Sequence, residues 1–139
     1  MATILLAASP EPRAVLARML TGHELVLAES LAQAEQVLSD RKPDLICCTV
    51  VFDESRMFDL LRVAKAKPEW RSIPFLCTRV RSHVLRSAAA RRNVAFTCGA
   101  LGAEAFLDLA DYKTDPEREM RAAIESFLDD APRRAARSD

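Results

Sequence analysis

The sequence is poor in glycine, and it contains none of the glycine-rich turns that bind phosphate groups. Of its 139 residues only three are glycine, namely Gly22, Gly99 and Gly102. None follows the first apolar run, where the sequence reads Ala-Ala-Ser-Pro-Glu-Pro and two prolines remove backbone N–H donors. Phosphate-binding loops need such donors at the start of a helix. The sequence therefore excludes a Walker loop and a dinucleotide-binding fingerprint.

Catalytic and metal-binding patterns built on cysteine, histidine or serine are also missing. There is no Cys-x-x-Cys pair and no Gly-x-Ser-x-Gly turn, and neither His23 nor His83 ends a strand-like run. We interpret His83 as an exposed surface side chain. The cysteines are Cys47, Cys48, Cys77 and Cys98. Because three of them lie in apolar runs, we expect reduced thiols packed as small hydrophobic side chains, with a redox sensor as the alternative.

Neither sign of charge dominates, and no apolar run is long. The 20 basic and 20 acidic side chains balance, so the global charge predicts binding to neither nucleic acid nor membranes. No apolar run reaches the roughly 18 residues of a membrane span. The N-terminal apolar run lacks the preceding basic residue of a secretory signal. The length and the 50% apolar content suit one cytoplasmic domain with one core.

The sequence does contain a regular alternation of strand-like and helix-like segments. Apolar runs that predict strands cover residues 3–8, 24–29, 45–51, 73–78 and 105–109. Helices are predicted to begin at Pro10, at a Ser30–Gln33 capping box, at residue 57, at residue 82 and at Pro116. We expect the fourth helix to continue to about residue 98. This alternation predicts an α/β fold, with five parallel strands and five helices on both faces of the sheet. The strand order 2-1-3-4-5 is one of two common solutions for such a doubly wound sheet, and it is the one we predict.

We predict one domain over residues 1–130. The segment 131–139 is polar and without periodicity, so we expect a disordered tail and no output domain after it.

An acidic cluster follows the third predicted strand. Asp53, Glu54 and Asp59 lie close together in the sequence, and carboxylates are the ligands that magnesium and calcium prefer. The alternative is that Asp53 or Ser55 caps a helix, which needs no metal ion. We favour capping and expect no metal site.

Four segments resemble the receiver domain of two-component response regulators. They are TILLAASPEPR at the first strand, KPDLICCT at the third, KPEWRSIPFL before the fourth, and LGAEAFLDL at the fifth. They occur in the family's order and at nearly its spacing, and the resemblance covers about residues 3–129. It implies the flavodoxin-like receiver fold of the single-domain chemotaxis response regulator.

The resemblance also implies where a phosphorylation site would lie. Receivers use two carboxylates to hold Mg²⁺, an aspartate to accept the phosphoryl group, a hydroxyl residue and a lysine to contact it, and an aromatic residue that reports activation. The acidic pair corresponds to Ala7 and Ala8, and the acceptor to Thr49. The hydroxyl corresponds to Arg79, or to Thr78 if the register is shifted by one residue. The lysine corresponds to Leu109, and the aromatic residue to Phe106.

These positions predict a pseudo-receiver that keeps the fold and has lost the phosphorylation switch. A methyl group cannot bind Mg²⁺, and a threonine cannot form an acyl phosphate. Losing the whole set together avoids leaving one charged side chain unpaired in an emptied pocket. The competing alignment makes Asp53 the acceptor, but Asp53 lies four residues too late and would still lack the acidic pair. We expect no catalytic residue and no cofactor.

A long segment without acidic residues follows. Residues 70–103 contain no aspartate or glutamate, and they carry Arg71, Arg79, Arg81, Arg86, Arg91 and Arg92. One interpretation is a solvated helix face whose arginines pair with acids elsewhere. The other is an anion-binding surface, because arginine binds carboxylates and phosphates in a bidentate manner and clustered charge speeds encounter. In receivers the corresponding face docks partners, so the candidate partner-binding or anion-binding residues are Arg79, Arg81, Arg86, Arg91, Arg92 and Phe106.

We therefore predict a phosphorylation-independent module, not an enzyme, that binds the acidic surface of another signalling protein or forms a homodimer. The alternative is a sensor that binds a small anion, such as a nucleotide second messenger, at the emptied pocket or the arginine-rich face. A third hypothesis, a cryptic enzyme of the same fold, has no convergent nucleophile and base to support it. We expect no membrane binding. We also expect no nucleic-acid binding, because no aromatic side chain lies between the arginines from Arg79 to Arg92 on which bases could stack.

Overall fold

The fold is a five-stranded parallel sheet with helices on both faces, and the computed structural model describes it over residues 2–81 and 84–128. The strands are β1 (Thr3–Ala7), β2 (Glu24–Ala28), β3 (Leu45–Thr49), β4 (Phe75–Arg79) and β5 (Ala105–Asp108). Their order is β2-β1-β3-β4-β5, and all four pairings are parallel. The predicted fold and strand order are confirmed. The predicted tail, residues 131–139, and His83 lie outside the described residues.

Seven α-helices and one 3-10 turn flank this sheet within the described ranges. They are α1 (Pro10–Met19), α2 (Leu31–Arg41), α3 (Phe52–Ser55), α4 (Met57–Ala66), α5 (Pro68–Arg71), α6 (Ala88–Ala100), the 3-10 turn (Leu109–Asp111) and α7 (Pro116–Leu128). The five predicted helices correspond to α1, α2, α4, α6 and α7, and α3 and α5 are additional four-residue turns. None of the described helices is long and apolar enough to cross a membrane.

Capping residues and prolines mark where several of these helices begin. The Gln33 N–H donates to the Ser30 hydroxyl at 3.2 Å, and the Gln33 side-chain oxygen accepts from the Glu29 N–H at 2.8 Å. This reciprocal pair is the predicted capping box, with its return bond one residue earlier than usual. Pro10 and Pro116 stand at the first positions of α1 and α7, where a missing N–H costs nothing.

The fourth predicted helix was placed too early in the sequence. The prediction began it at residue 82, but α6 begins at Ala88, where the Ser87 hydroxyl accepts from the Ala90 N–H at 3.0 Å. Leu85 has a φ of 50°, outside the helical region. The Val84 carbonyl accepts a side-chain hydrogen bond from Arg79 at 2.7 Å. Residues 84–87 are therefore a connection shaped by a tertiary contact, which their apolar pattern does not reveal.

The sheet separates two hydrophobic layers. On one face Leu5, Ile46 and Phe75 are fully buried beneath the side of the domain that carries α2, α4 and α6. On the other face Leu6 and Leu76 are fully buried with side chains of α1 and α7. A side chain of this size contributes about 1.5–3 kcal/mol when it leaves water. Burial on both faces explains the continuous apolar runs of β1, β3 and β4 and leaves the strand ends as the accessible edge.

A histidine connects the start of the chain to the last helix. The Ala2 N–H donates to Nδ1 of His23 at 3.2 Å, so the other ring nitrogen, Nε2, carries the hydrogen and lies 2.7 Å from a carboxylate oxygen of Glu125. Arg121 contacts the same Glu125 oxygen and also donates to the Met19 carbonyl at 3.1 Å. The hydrogen bond from His23, followed by the contacts with Arg121, lowers the pKa of Glu125 in spite of partial burial.

This lowered pKa predicts a loss of stability in acid. A carboxyl group with a lower pKa in the folded than in the unfolded state stabilises the fold above its unfolded pKa, and that contribution is lost as the pH falls through the folded value. Between about pH 5 and pH 3 we expect the urea midpoint of the wild type to fall further than that of Glu125→Gln. Circular dichroism at each pH measures both midpoints, and equal falls would contradict the assignment.

Candidate functional site

The strand ends place the predicted pocket residues next to one another. Ala7 ends β1 and lies opposite Cys48 of β3, and Thr49 lies opposite Thr78 of β4. Ala7, Ala8, Thr49 and Thr78 are all at most 1% exposed. The edge at which a receiver would display carboxylates is therefore made of methyl groups and buried hydroxyls.

The two threonines at this edge differ in their hydrogen bonding. The Thr78 hydroxyl donates to the Cys48 carbonyl at 3.2 Å. The Thr49 hydroxyl is buried and has no hydrogen-bond partner among the described residues. Of the two candidates for the hydroxyl position, Thr78 lies opposite Thr49. Since neighbouring residues of a strand point to opposite faces, Arg79 projects from the other face of the sheet.

Arg79 forms a buried ion pair with Asp108. One terminal nitrogen of the guanidinium lies 2.8 and 3.0 Å from the two carboxylate oxygens. The side chains are 4% and 3% exposed, and the two residues occupy matching positions at the ends of β4 and β5. Arg79 therefore does not belong to the exposed anion-binding surface that the sequence predicted, because its charge is directed inward to a buried carboxylate.

The pair is the centre of a larger set of contacts. Arg79 donates through Nε to the Val84 carbonyl at 2.7 Å, and Asp108 accepts from the Ala110 N–H at 3.0 Å. The guanidinium of Arg91 in α6 lies 3.8 Å from the second Asp108 oxygen. The ion pair thus joins the ends of two strands to the connection before α6, to α6 itself and to the 3-10 turn.

Asp108 was not among the residues that the sequence predicted for this site, although its position in an apolar run pointed to a buried carboxylate. Asp108 is the single carboxylate within the apolar run 105–109, and a buried aspartate requires a partner. The lysine position of the family falls on its neighbour Leu109, which begins the 3-10 turn and packs against the layer that contains Leu76.

Removing either partner should destabilise the protein strongly. Arg79→Met or Asp108→Leu leaves one buried charge unpaired, which typically costs about 3–5 kcal/mol. The double variant leaves no unpaired charge, so we expect it to lose much less than the sum of the two single losses. Urea unfolding followed by circular dichroism measures the coupling energy. Additive losses would contradict a direct buried pair.

The remaining arginines of the segment do not form one face. Arg71 folds back on the Lys65 and Ala66 carbonyls before β4, at the opposite end of the sheet from Arg81. Arg81 pairs with Glu11 at 2.7 Å. Arg91 donates to the carbonyls of residues 85 and 86 at 3.1 and 2.9 Å. Of the five candidate arginines, which do not include Arg71, three are thus engaged within the protein, namely Arg79, Arg81 and Arg91.

Two arginines of the predicted set remain available. The side chains of Arg86 and Arg92 are exposed and have no ion-pair partner within the described part of the chain. Arg92 lines a cavity of about 300 Å³ together with Arg91, Asp108 and Phe106. Phe106 is half-buried, and it packs on the core layer beneath α6.

The carboxylates of the acidic cluster after β3 contact groups of the protein itself. Asp53 accepts from the Leu31 N–H at 2.8 Å, so it caps the start of α2. The sequence predicted helix capping by Asp53 or Ser55, and the helix that Asp53 caps precedes it in the chain. Asp59 lies 3.3 Å from Arg62 in its own helix. No group of three His, Cys, Asp or Glu side chains in residues 2–81 and 84–128 is arranged to hold a metal ion.

The residues at the strand ends do not fit the Mg²⁺ that the receiver fold implies. A hard divalent cation needs several oxygen ligands, carboxylates above all. The positions of the acidic pair hold the methyl groups of Ala7 and Ala8, both fully buried. The only buried carboxylate among the described residues, Asp108, already accepts from Arg79.

The four cysteines are free and buried. Burial raises the pKa of Cys47 to about 12, and it also raises the pKa of Cys48. The pKa of the Cys77 thiol rises through its hydrogen bond to Cys98 and through burial, and the same hydrogen bond lowers the pKa of Cys98. Because the thiolate is the reactive form, the raised pKa values leave Cys47, Cys48 and Cys77 as small apolar side chains of the two core layers.

Solved receiver domains share this fold. The signal receiver domain of a signal transduction histidine kinase from Syntrophus aciditrophicus is 23% identical, with a TM-score of 0.71 over 93% of this chain and 91% of that chain. A signal receiver domain from Vibrio parahaemolyticus is 16% identical, with a TM-score of 0.73 over 99% and 98%. The receiver domain of a sensor histidine kinase from Pseudomonas aeruginosa, with a magnesium ion coordinated in its active site cleft, is 18% identical, with a TM-score of 0.69 over 91% and 97%.

No family model matches the chain, and no curated protein matches it. At these identities the likeness establishes the receiver fold.

Proposed function

We propose that this chain is a phosphorylation-independent receiver-like module, without enzymatic activity, that acts in signalling by binding another protein. The observation that carries the proposal is the composition of the sheet edge. Ala7, Ala8 and Thr49 occupy the positions that correspond to the acidic pair and the phosphoryl acceptor, and each is at most 1% exposed. The fold is kept while the groups that a phosphorylation switch uses are absent from those positions.

Two carboxylates near this edge, Asp108 and Asp53, are already engaged in other contacts. Asp108 is 2% exposed and paired with Arg79. Asp53 holds the first N–H of α2, and no acidic pair accompanies it. An acyl phosphate forms when a free carboxylate attacks a phosphoryl group whose charge a metal ion offsets, and these residues supply neither requirement.

The proposal predicts that the protein is not phosphorylated. With acetyl phosphate and MgCl₂ we expect intact-mass spectrometry to show no phosphoryl adduct, because Thr49 has no carboxylate to form an acyl phosphate. A receiver domain with its full acidic set serves as the positive control under the same conditions. If both the wild type and Thr49→Ala carry a phosphoryl adduct, Asp53 becomes the candidate acceptor. Loss of that adduct in Asp53→Asn would then overturn the proposal.

The exposed face of α6 supports a protein-binding role. Phe96 is 79% exposed, although a phenylalanine on a single soluble domain is usually at least partly covered. Arg92 lies one helical turn before Phe96 on the same face, and Arg86 precedes the helix. Exposed aromatic and arginine side chains are enriched in protein interfaces and dominate their binding energy.

The charge of this face favours an acidic partner. Residues 84–103 contain no acidic side chain, while Arg86 and Arg92 are exposed. Carboxylates on a partner would pair with both guanidinium groups around the Phe96 anchor. A second copy of the chain is the alternative partner. A nucleic acid fits less well, because one exposed aromatic side chain does not form a track on which successive bases stack.

This surface can be tested by comparing matched variants as bait. We expect the double variant Phe96→Ala/Arg92→Glu to lose a partner protein that the wild type retains. The matched control is Arg62→Glu, which should retain the partner because Arg62 is an exposed arginine of another helix, α4. Mass spectrometry of the retained proteins identifies the partner, and purified components then confirm direct binding. Sedimentation velocity of the wild type reports homodimers. Equal binding by all three proteins would exclude this face.

The nucleotide-sensor alternative stays a prediction with less support. It requires several cations around one pocket, and the structure directs Arg79 inward and pairs Arg81 with Glu11. Calorimetric titration with a panel of nucleotides discriminates between the two functions, because the interaction module requires no response.

A further inference from the structure

A cavity of about 330 Å³ lies beyond the carboxyl ends of β1, β3 and β4. Its apolar lining comes from three separate segments: Pro10 and Pro12 in the first turn of α1, Val51 after β3, and Val84 before α6. Its polar lining residues are Ser9, Glu11 and Arg81. Ligand sites in open α/β sheets occur at this edge, and small-molecule pockets are mostly apolar with a few polar groups.

The position of one wall depends on the buried ion pair. The Val84 carbonyl accepts from Nε of Arg79, which is itself held by Asp108. Val84 is therefore tied to β4 even though the connection around it is irregular. The proline walls are stiff for a separate reason, since their rings fix the backbone φ angle. A pocket whose lining residues are already held in place loses little conformational entropy when a ligand binds.

One ion pair bridges two of the lining segments. Arg81 lies 2.7 Å from Glu11, and the side chains are 35% and 70% exposed. A pair this exposed contributes little to stability because water screens it. A carboxylate from a ligand can therefore take the place of Glu11 at small cost, and the bidentate geometry of arginine suits it.

The same features argue against a phosphate or a nucleotide in this cavity. Pro10 and Pro12 remove two of the first three N–H donors of α1. Among the described residues that line the cavity, Arg81 is the single cation. A doubly charged phosphate would have one arginine, already neutralised by Glu11, as its partner. The volume also lies near the lower end of the roughly 300–1,000 Å³ that is usual for ligand pockets.

We propose that this cavity binds a small amphiphilic monocarboxylic acid. Its aliphatic or aromatic body would lie against Pro10, Pro12, Val51 and Val84, and its carboxylate would replace Glu11 on Arg81. The proposal rests on the proposed function in one respect, namely that no phosphoryl group occupies this edge. It goes beyond that function by giving the edge a ligand, and it connects the ligand through Val84 to the segment that leads into α6.

Three simple probes separate the two parts of the proposed site. Hexanoate carries both the apolar body and the carboxylate, acetate carries the carboxylate alone, and 1-hexanol carries the apolar body alone. Each is titrated into the full chain, with two-dimensional NMR to locate the site and calorimetry to measure the dissociation constant. We expect hexanoate to bind with the strongest shifts at the amides of Glu11, Val51 and Val84, and the other two probes to bind more weakly.

Three variants test the same site from the protein side. Arg81→Gln removes the cation and should weaken hexanoate about two- to fivefold, as expected for a partly exposed ion pair, while leaving hexanol unchanged. Val51→Phe fills the cavity and should weaken hexanoate and hexanol alike. Arg86→Gln, a nearby exposed arginine outside the cavity, is the matched control and should change neither. Circular dichroism confirms that each variant is folded.

Several outcomes would overturn the inference. Equal binding of acetate and hexanoate would mean an adventitious ion only, and unchanged binding in Val51→Phe would place the ligand elsewhere. Tighter binding of AMP than of hexanoate would favour the nucleotide alternative. If hexanoate does not bind and acetyl phosphate gives no phosphoryl adduct, the ligand site is rejected and the proposed function stands. A phosphoryl adduct would reject the proposed function itself.

Discussion

The buried ion pair between Arg79 and Asp108 is the interaction on which the functional edge of this protein depends. It joins the ends of β4 and β5, holds the Val84 carbonyl and lies 3.8 Å from Arg91 of α6. A buried pair costs a large desolvation energy and is worthwhile only when its geometry and its additional hydrogen bonds are good. Here both conditions hold, so the pair holds Val84, shortly before α6, to the ends of β4 and β5.

This arrangement changes what the receiver fold can do. A receiver edge needs carboxylates that remain free to bind a metal ion and a phosphoryl group, and free carboxylates close together repel one another. In this chain the ends of β1 and β3 carry methyl groups and a threonine hydroxyl, and the one buried carboxylate among the described residues is neutralised by an arginine from the neighbouring strand. The buried charges of the edge are therefore paired with each other, and the surfaces left for binding are the apolar cavity beside Arg81 and the face of α6 around Phe96.

Most of the fold could be predicted from local patterns. The runs that became β1 and β3 are apolar because both faces of the sheet are covered, and the Ser30–Gln33 box and Pro116 mark helix starts through local hydrogen bonding and a fixed φ angle. The start of α6 was misjudged for a physical reason. Its apolar residues suit a helix from residue 82 onward, but Arg79 takes the Val84 carbonyl and Leu85 adopts a positive φ.

Local patterns in the sequence were enough to predict the alternating strands and helices and a sheet covered on both faces, because periodicity and residue type act locally. The role of each charge was set by tertiary contacts. Six arginines in one segment look equivalent in the sequence, yet they differ in the structure. One is buried against Asp108, one folds back before β4, one pairs with Glu11, Arg91 donates to the carbonyls of residues 85 and 86, and Arg86 and Arg92 remain exposed. The partner of a charge depends on residues distant in the chain, and no local pattern encodes that distance.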